Sequence, residues 1–161
     1  MAKVVIEEVS QTDKAGLFTI RFEGEAVTEF EKFMLHFKDS AERQTELSVI
    51  LNAINRMLTV SGFLERYFRY EGRVTDRVVA LPNNMEHLEL RLYCLRLSDK
   101  VLIVGNGGVK DTRTYQEDPD LNGYVLTLQN LDKLLKQAER KGKVTIEETK
   151  ISGIDDKTFE V

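Results

Sequence analysis

Residues Leu88–Lys110 read LELRLYCLRLSDKVLIVGNGGVK, and the fold turns on them. Leu88, Leu90, Leu92 and Cys94 alternate with Glu89, Arg91, Tyr93 and Leu95, the period-two pattern of a strand with one buried face. Ser98-Asp99 marks a tight turn. Val101-Leu102-Ile103-Val104 is apolar on both faces, as a central strand is. Gly105-Asn106-Gly107-Gly108 is expected to end that strand, because glycine takes the positive φ that a sharp exit often needs. The stretch therefore predicts an antiparallel hairpin, with Arg91 and Tyr93 together on the polar face of its first strand.

Outward from this hairpin, the chain predicts an α+β fold in one domain, residues 1–161. Lys3–Val9 and Leu17–Phe22 read as an N-terminal β-hairpin joined by the turn formers of SQTDKAG. Val27, Phe30, Phe33, Met34 and Phe37 recur at helical spacing and predict a helix over about Val27–Lys38, with Thr28 or Glu25 near its cap. Leu47, Ile50, Leu51, Ile54, Met57 and Leu58 predict a second helix, about Ala41–Val60, stopped by Gly62. The two make a helical hairpin laid on a sheet. Phe63–Gly72 (FLERYFRYEG) and Arg73–Leu81 are strand candidates. After the organising hairpin, Asp118-Pro119-Asp120 is a helix-start signal. The last helix is expected over about Asp120–Lys141 and a strand over Lys143–Thr149, with a tail that adds strand or frays.

A chain of 161 residues can bury a substantial core. No apolar run approaches the roughly 20 residues that span a bilayer, so no membrane role is expected. The N-terminus lacks the apolar segment of a signal peptide. Cys94 is the single cysteine and cannot form an internal disulfide; a reduced, cytoplasmic location is the default expectation. The net charge of −4 argues against a strongly basic nucleic-acid binder. Between Ser61 and Tyr115, however, nine Lys/Arg outnumber seven Asp/Glu, which permits a local anion site.

Several chemistries drop out. One cysteine with isolated His36 and His87 gives no metal-ligand spacing, so no metal and no cofactor are expected. Gly105–Lys110 (GNGGVK) lacks the spacing and the following Ser/Thr of a P-loop. What remains is arginine, lysine and tyrosine. Arg91 and Tyr93 face one way. Arg96 faces the other unless the strand bulges or twists. Lys110 follows the glycine run, with Arg113 and Tyr115 next. Arg66 and Arg69 lie in the aromatic and basic stretch FLERYFRYEG, where stacking and charge together suit nucleic acid; an ordinary strand with aromatics inside and arginines in water fits it as well. Such a cluster could hold a phosphodiester and stabilise charge developing on it, with a tyrosine or lysine moving protons for attack by a ribose 2′-hydroxyl.

Two helices, a basic-aromatic strand and then LELRLYCLRLSDKVLIVGNGGVKDTRTY resemble the RelE/HigB superfamily of bacterial toxins, the phage-derived toxin-like branch included. The likeness spans roughly Val27–Lys141 and rests on Leu90-Arg91-Leu92-Tyr93, an acidic turn, a buried apolar strand and a basic residue after it, Lys110. It implies a RelE-like core with an N-terminal hairpin and a C-terminal strand added. It also implies a metal-independent endoribonuclease that cuts messenger RNA, typically in the ribosome, and is neutralised by an antitoxin protein of helix-turn-helix type. Arg91 and Lys110 would contact and stabilise the scissile phosphate. Tyr115 would orient groups or move a proton. Arg66, Arg69, Tyr93, Arg96 and Arg113 would hold RNA. The alternative is a non-catalytic binding or regulatory protein on the same fold, of phage or mobile-element origin, which the acidic balance favours.

Overall fold

A computed structural model of the chain describes residues 2–71, 75–83 and 87–161. Arg73 and the start of the strand expected at Arg73–Leu81 lie outside the described residues. The fold is mixed α+β. Among the described residues the main sheet has the order β3-β4-β5-β6-β2-β1-β9. Its strands are β1 (Lys3–Gln11), β2 (Gly16–Phe22), β3 (Arg69–Tyr70), β4 (Val78–Leu81), β5 (Leu90–Ser98), β6 (Val101–Val109) and β9 (Phe159–Glu160). All neighbouring pairs are antiparallel except β2 and β6, which run parallel. A separate ribbon pairs β7 (Thr145–Glu147) with β8 (Lys150–Ser152).

Helices cover both faces of the sheet. On one side α1 (Glu29–Phe37) and α2 (Gln44–Arg56) bury Phe30, Phe33, Phe37, Leu47, Ile50 and Ile54 against Leu17, Leu92, Cys94, Leu102 and Val104. On the other, α3 (Pro119–Arg140) buries Leu121, Val125, Leu128, Leu131 and Leu135 against Ile20, Tyr93, Leu95 and Ile103. Burial of each such side chain contributes roughly 1.5–3 kcal/mol. The central strands are thus apolar on both faces for a physical reason: each face meets a helix.

Local chemistry sets the helix ends. Thr28 and Glu31 form a reciprocal capping box at α1. Thr19 Oγ1 accepts from Phe30 N at 3.3 Å and donates to Val104 O at 2.7 Å, tying α1 to the β2–β6 junction. Asp118 accepts from the amides of Asp120 and Leu121, and Pro119 supplies the first helical φ of α3. At its other end α2 runs into a π-helical turn, Met57–Ser61, closed by Gly62 at φ +80°.

Three expectations need correction. Phe63–Gly72 is no long strand: Glu65–Tyr67 is a 3-10 turn and only Arg69–Tyr70 pairs, as β3. Gly105–Gly108 does not end β6, which runs to Val109, and none of these glycines has positive φ. Their purpose is close approach. A Cβ on Gly107 would lie 1.8 Å from Arg91 O, and one on Gly105 would meet Leu128 at 3.3 Å. Finally, the face of β5 that carries Arg91 and Tyr93 is not solvent-facing, because α3 packs there; Tyr93 is fully buried and Arg91 is 9% exposed.

Candidate functional site

The β5–β6 register decides what meets what. Arg91 lies opposite Gly108, and the Lys110 amide donates to Glu89 O at 2.8 Å. Side chains two residues apart on a strand share a face, so Arg91, Tyr93 and Lys110 all project toward the α3 side. On the other flank of β5, Tyr93 lies opposite Ala80 and Ala80 opposite Arg69. Ala80, small and buried, leaves room for Arg69 and Tyr93 to approach over it. Glu71, two residues after Arg69, shares its face, and the Glu71 amide donates to Val78 O. Tyr115, in the 3-10 turn before α3, sets its ring edge-on to Tyr93 with centroids 6.3 Å apart.

The result is a group of three cations, one carboxylate and two tyrosines where β3, β5, β6 and the β6–α3 connection meet. Arg91 is the most constrained member. One of its terminal nitrogens donates to Leu88 O and, at 3.1 Å, to Leu90 O. Among the described residues its buried Nε and the buried Tyr93 hydroxyl have no hydrogen-bond partner. Arg69 is held by carbonyls, donating to Pro82 O at 2.7 Å and Asn83 O at 2.9 Å. Lys110 Nζ donates to Arg113 O at 3.2 Å.

The charges act on one another. Burial pulls both guanidinium pKa values down, and for Arg69 the neighbouring Arg91 charge adds to that pull. Burial pushes the Glu71 carboxyl up, against the attraction of Lys110, Arg69 and Arg91. Burial also raises the Tyr93 phenol, and Glu71 raises it further. Arg91 is buried with Arg69 and Lys110 half-buried beside it, and Glu71, Glu46 and Glu89 act on its charge without a direct ion pair, so an incoming anion would meet a guanidinium that no carboxylate of the described residues touches. A carboxyl whose pKa burial raises stands beside these cations and can exchange a proton with a bound group.

Of the eight residues singled out from sequence, the fold gathers Arg69, Arg91, Tyr93, Lys110 and Tyr115. It leaves three elsewhere. Arg66 packs over the Tyr67 ring, 5.0 Å from its centroid. Arg96 turns to the α2 side, donating to Phe63 O at 2.7 Å and pairing with Asp99. Arg113 has a side chain 90% exposed, 3.8 Å from Glu117. Glu71 was missed. Its two-residue offset from Arg69 is the available signal, and the basic and aromatic residues around it obscure that signal.

Among the described residues, no group of three or more His, Cys, Asp or Glu side chains is arranged to hold a metal ion, and no helix is long and apolar enough to cross a membrane. No family model matches the chain, and neither a curated protein sequence nor a solved structure is significantly similar to it.

Proposed function

We propose that this chain is a toxin-like RNA endonuclease of the RelE/HigB type, with the Arg91 cluster as its phosphodiester site. One observation carries this: among the described residues the buried Arg91 Nε and the buried Tyr93 phenol lack hydrogen-bond partners, with Arg69, Lys110 and Glu71 beside them. A phosphodiester supplies the missing acceptors and the missing negative charge. The order of elements adds support. Two helices and then an antiparallel run of strands over Val27–Lys141 are compatible with a RelE-like core, with the β1–β2 hairpin and β7, β8 and β9 as additions.

In this mechanism Arg91 and Lys110 would bind the scissile phosphate and stabilise the charge that builds on its oxygens. Glu71 would take the proton from the ribose 2′-hydroxyl as that oxygen attacks phosphorus. The P–O5′ bond breaks, leaving a 2′,3′-cyclic phosphate and a 5′-hydroxyl. Lys110 or Tyr115 would give the leaving oxygen its proton. Arg69 would add positive charge, and Tyr93 would donate its free hydroxyl. No cofactor enters. The partners that go with this function are RNA, on the ribosome or free, and an antitoxin protein of helix-turn-helix type; the setting is the cytoplasm.

One observation favours the second reading, a non-catalytic binding or regulatory protein. Arg91 is only 9% exposed, so a phosphate must reach it past half-buried Lys110, Glu71 and Tyr115. Induced expression separates the two. Growth arrest by the wild-type chain that is lost with Arg91→Ala supports the nuclease. Normal growth under strong wild-type expression supports the binding protein.

A further inference from the structure

The basic and aromatic stretch from Phe63 onward is only partly used by the Arg91 cluster; Tyr67 lines a separate groove, with Arg66 packed against its ring. The groove holds about 250 Å³. Its floor is Met57, its walls Ala53 of α2 and Leu81-Pro82 at the end of β4. The π-helical turn widens this end of α2 and turns Val60 outward, 68% exposed at the rim. Arg56 also lines the groove, and Arg66 reaches Tyr67 from the side, its Nη2 3.1 Å from the phenol oxygen.

Among the described residues, two arginines at this rim stand without a carboxylate partner, as Arg69 and Arg91 do in the other cluster. Arg21, Arg43, Arg77, Arg96 and Arg113 each stand beside a carboxylate. Among the described residues neither Arg56 nor Arg66 has an ion pair. Both act on the Tyr67 phenol, whose pKa is lowered first by a hydrogen bond with Ser61 and then by Arg66 and Arg56. In a chain of net charge −4, one cation, Arg56, lines an apolar groove that has room for one or two side chains, and a second, Arg66, sits at its edge through the Tyr67 hydroxyl.

We propose that this groove docks an acidic peptide segment of a partner protein, an apolar side chain entering between Met57 and Leu81 while a neighbouring carboxylate meets Arg56 and Arg66. The size argues for a segment rather than a free small molecule: the groove takes an anchor side chain and leaves the rest of the ligand outside, so affinity has to come from a longer chain laid along α2. This inference does not depend on the nuclease reading, because no residue of the Arg91 cluster lines the groove.

The test pans a random twelve-residue peptide library on phage against the full chain. Enriched peptides are then measured by fluorescence anisotropy on the wild type, the double variant Arg56→Glu/Arg66→Glu, and Val60→Asp. The expected peptides place Asp or Glu within one helical turn of Leu, Ile or Phe. Binding falls at least tenfold in the double variant and in Val60→Asp, and is unchanged in Arg91→Ala. Val60 is exposed, so its variant reports on the groove even if the double variant folds poorly. Absence of enrichment, peptides without acidic bias, or binding that survives the charge reversal overturns the proposal. So does a twelve-nucleotide RNA that displaces the peptide and depends on Arg56 and Arg66, which would make this a nucleic-acid surface.

Discussion

Asp132 Oδ1 accepts the Arg77 Nε–H across 2.6 Å, joining the buried middle of α3 to the residue before β4. The carboxylate also accepts from the Arg77 amide at 3.2 Å and lies 3.3 Å from Lys136 Nζ. This contact fixes the helix that roofs the Arg91 cluster. Arg77 Nη2 also pairs with Glu139 at 2.9 Å, so losing Asp132 still leaves the arginine that partner and costs about 1–3 kcal/mol, the cost of its unmade hydrogen bonds. Asp132→Ala should therefore lower the urea midpoint strongly. The double change Arg77→Met/Asp132→Leu should recover part of that loss, since the apolar pair fills the buried volume and the partners it frees, Glu139 and Lys136, are each at least 30% exposed.

Gly107 sets the spacing between β6 and Arg91. A Cβ there would fall 1.8 Å from Arg91 O, a backbone atom that cannot swing aside. Gly107→Ala should destabilise the fold by roughly 1–3 kcal/mol, as overpacking does. It should also displace Arg91 and reproduce the growth phenotype of Arg91→Ala. Denaturant unfolding and the expression assay check the two parts. Gly123→Ala in exposed α3 is the control, because nothing lies within 4 Å of the added Cβ; it should be neutral or stabilising.

The Glu71 carboxyl gives a signed pH dependence. Burial raises its folded pKa above the unfolded value, and the nearby cations only partly oppose this. The folded state then holds the proton more tightly than the unfolded state. Its stabilising share is full below the unfolded pKa and is lost as pH rises through the folded one. Stability should fall with rising pH across that window, and Glu71→Gln should flatten the fall. Melting temperatures of both proteins between pH 4 and 7 measure it, about the range in which carboxylates titrate.

Cys94 is fully buried on the α2 side of β5, and burial raises its thiol pKa. The thiol should resist a disulfide reagent such as DTNB in the native protein at pH 8 and react at once in denaturant. A fast native reaction would mean that the α1–α2 layer opens readily.

Much of the fold was legible because apolar spacing carries it. The α1 and α2 stripes, the Asp118-Pro119 start of α3 and the alternation around Leu90–Cys94 all report local geometry. Which face of β5 meets solvent was not legible. Arg91 and Tyr93 looked like an outer face, yet Leu95 on that same face is apolar, and the α3 stripe from Leu121 to Leu135 needed a sheet surface to cover. The parallel pairing of β2 with β6 is likewise a long-range fact, set by Leu17–Leu102 and Phe18–Ile103 neighbours far apart in sequence. The site was half legible. Spacing on β5 and β6 brought Arg91, Tyr93 and Lys110 together. Glu71 and Arg69 enter only through β4, whose Ala80 makes the bridge between strands.

The most direct test of the phosphodiester site is to incubate the purified chain with RNA, with and without ribosomes, and to identify the new ends. The wild type should yield 2′,3′-cyclic phosphates and 5′-hydroxyls, with cleavage reduced at least a hundredfold by Arg91→Ala and by Lys110→Ala while circular dichroism shows each variant folded at the assay temperature, as expected for lost electrostatic stabilisation. Wild-type chain that leaves RNA intact in both conditions, or cleavage that persists in Arg91→Ala, would contradict it.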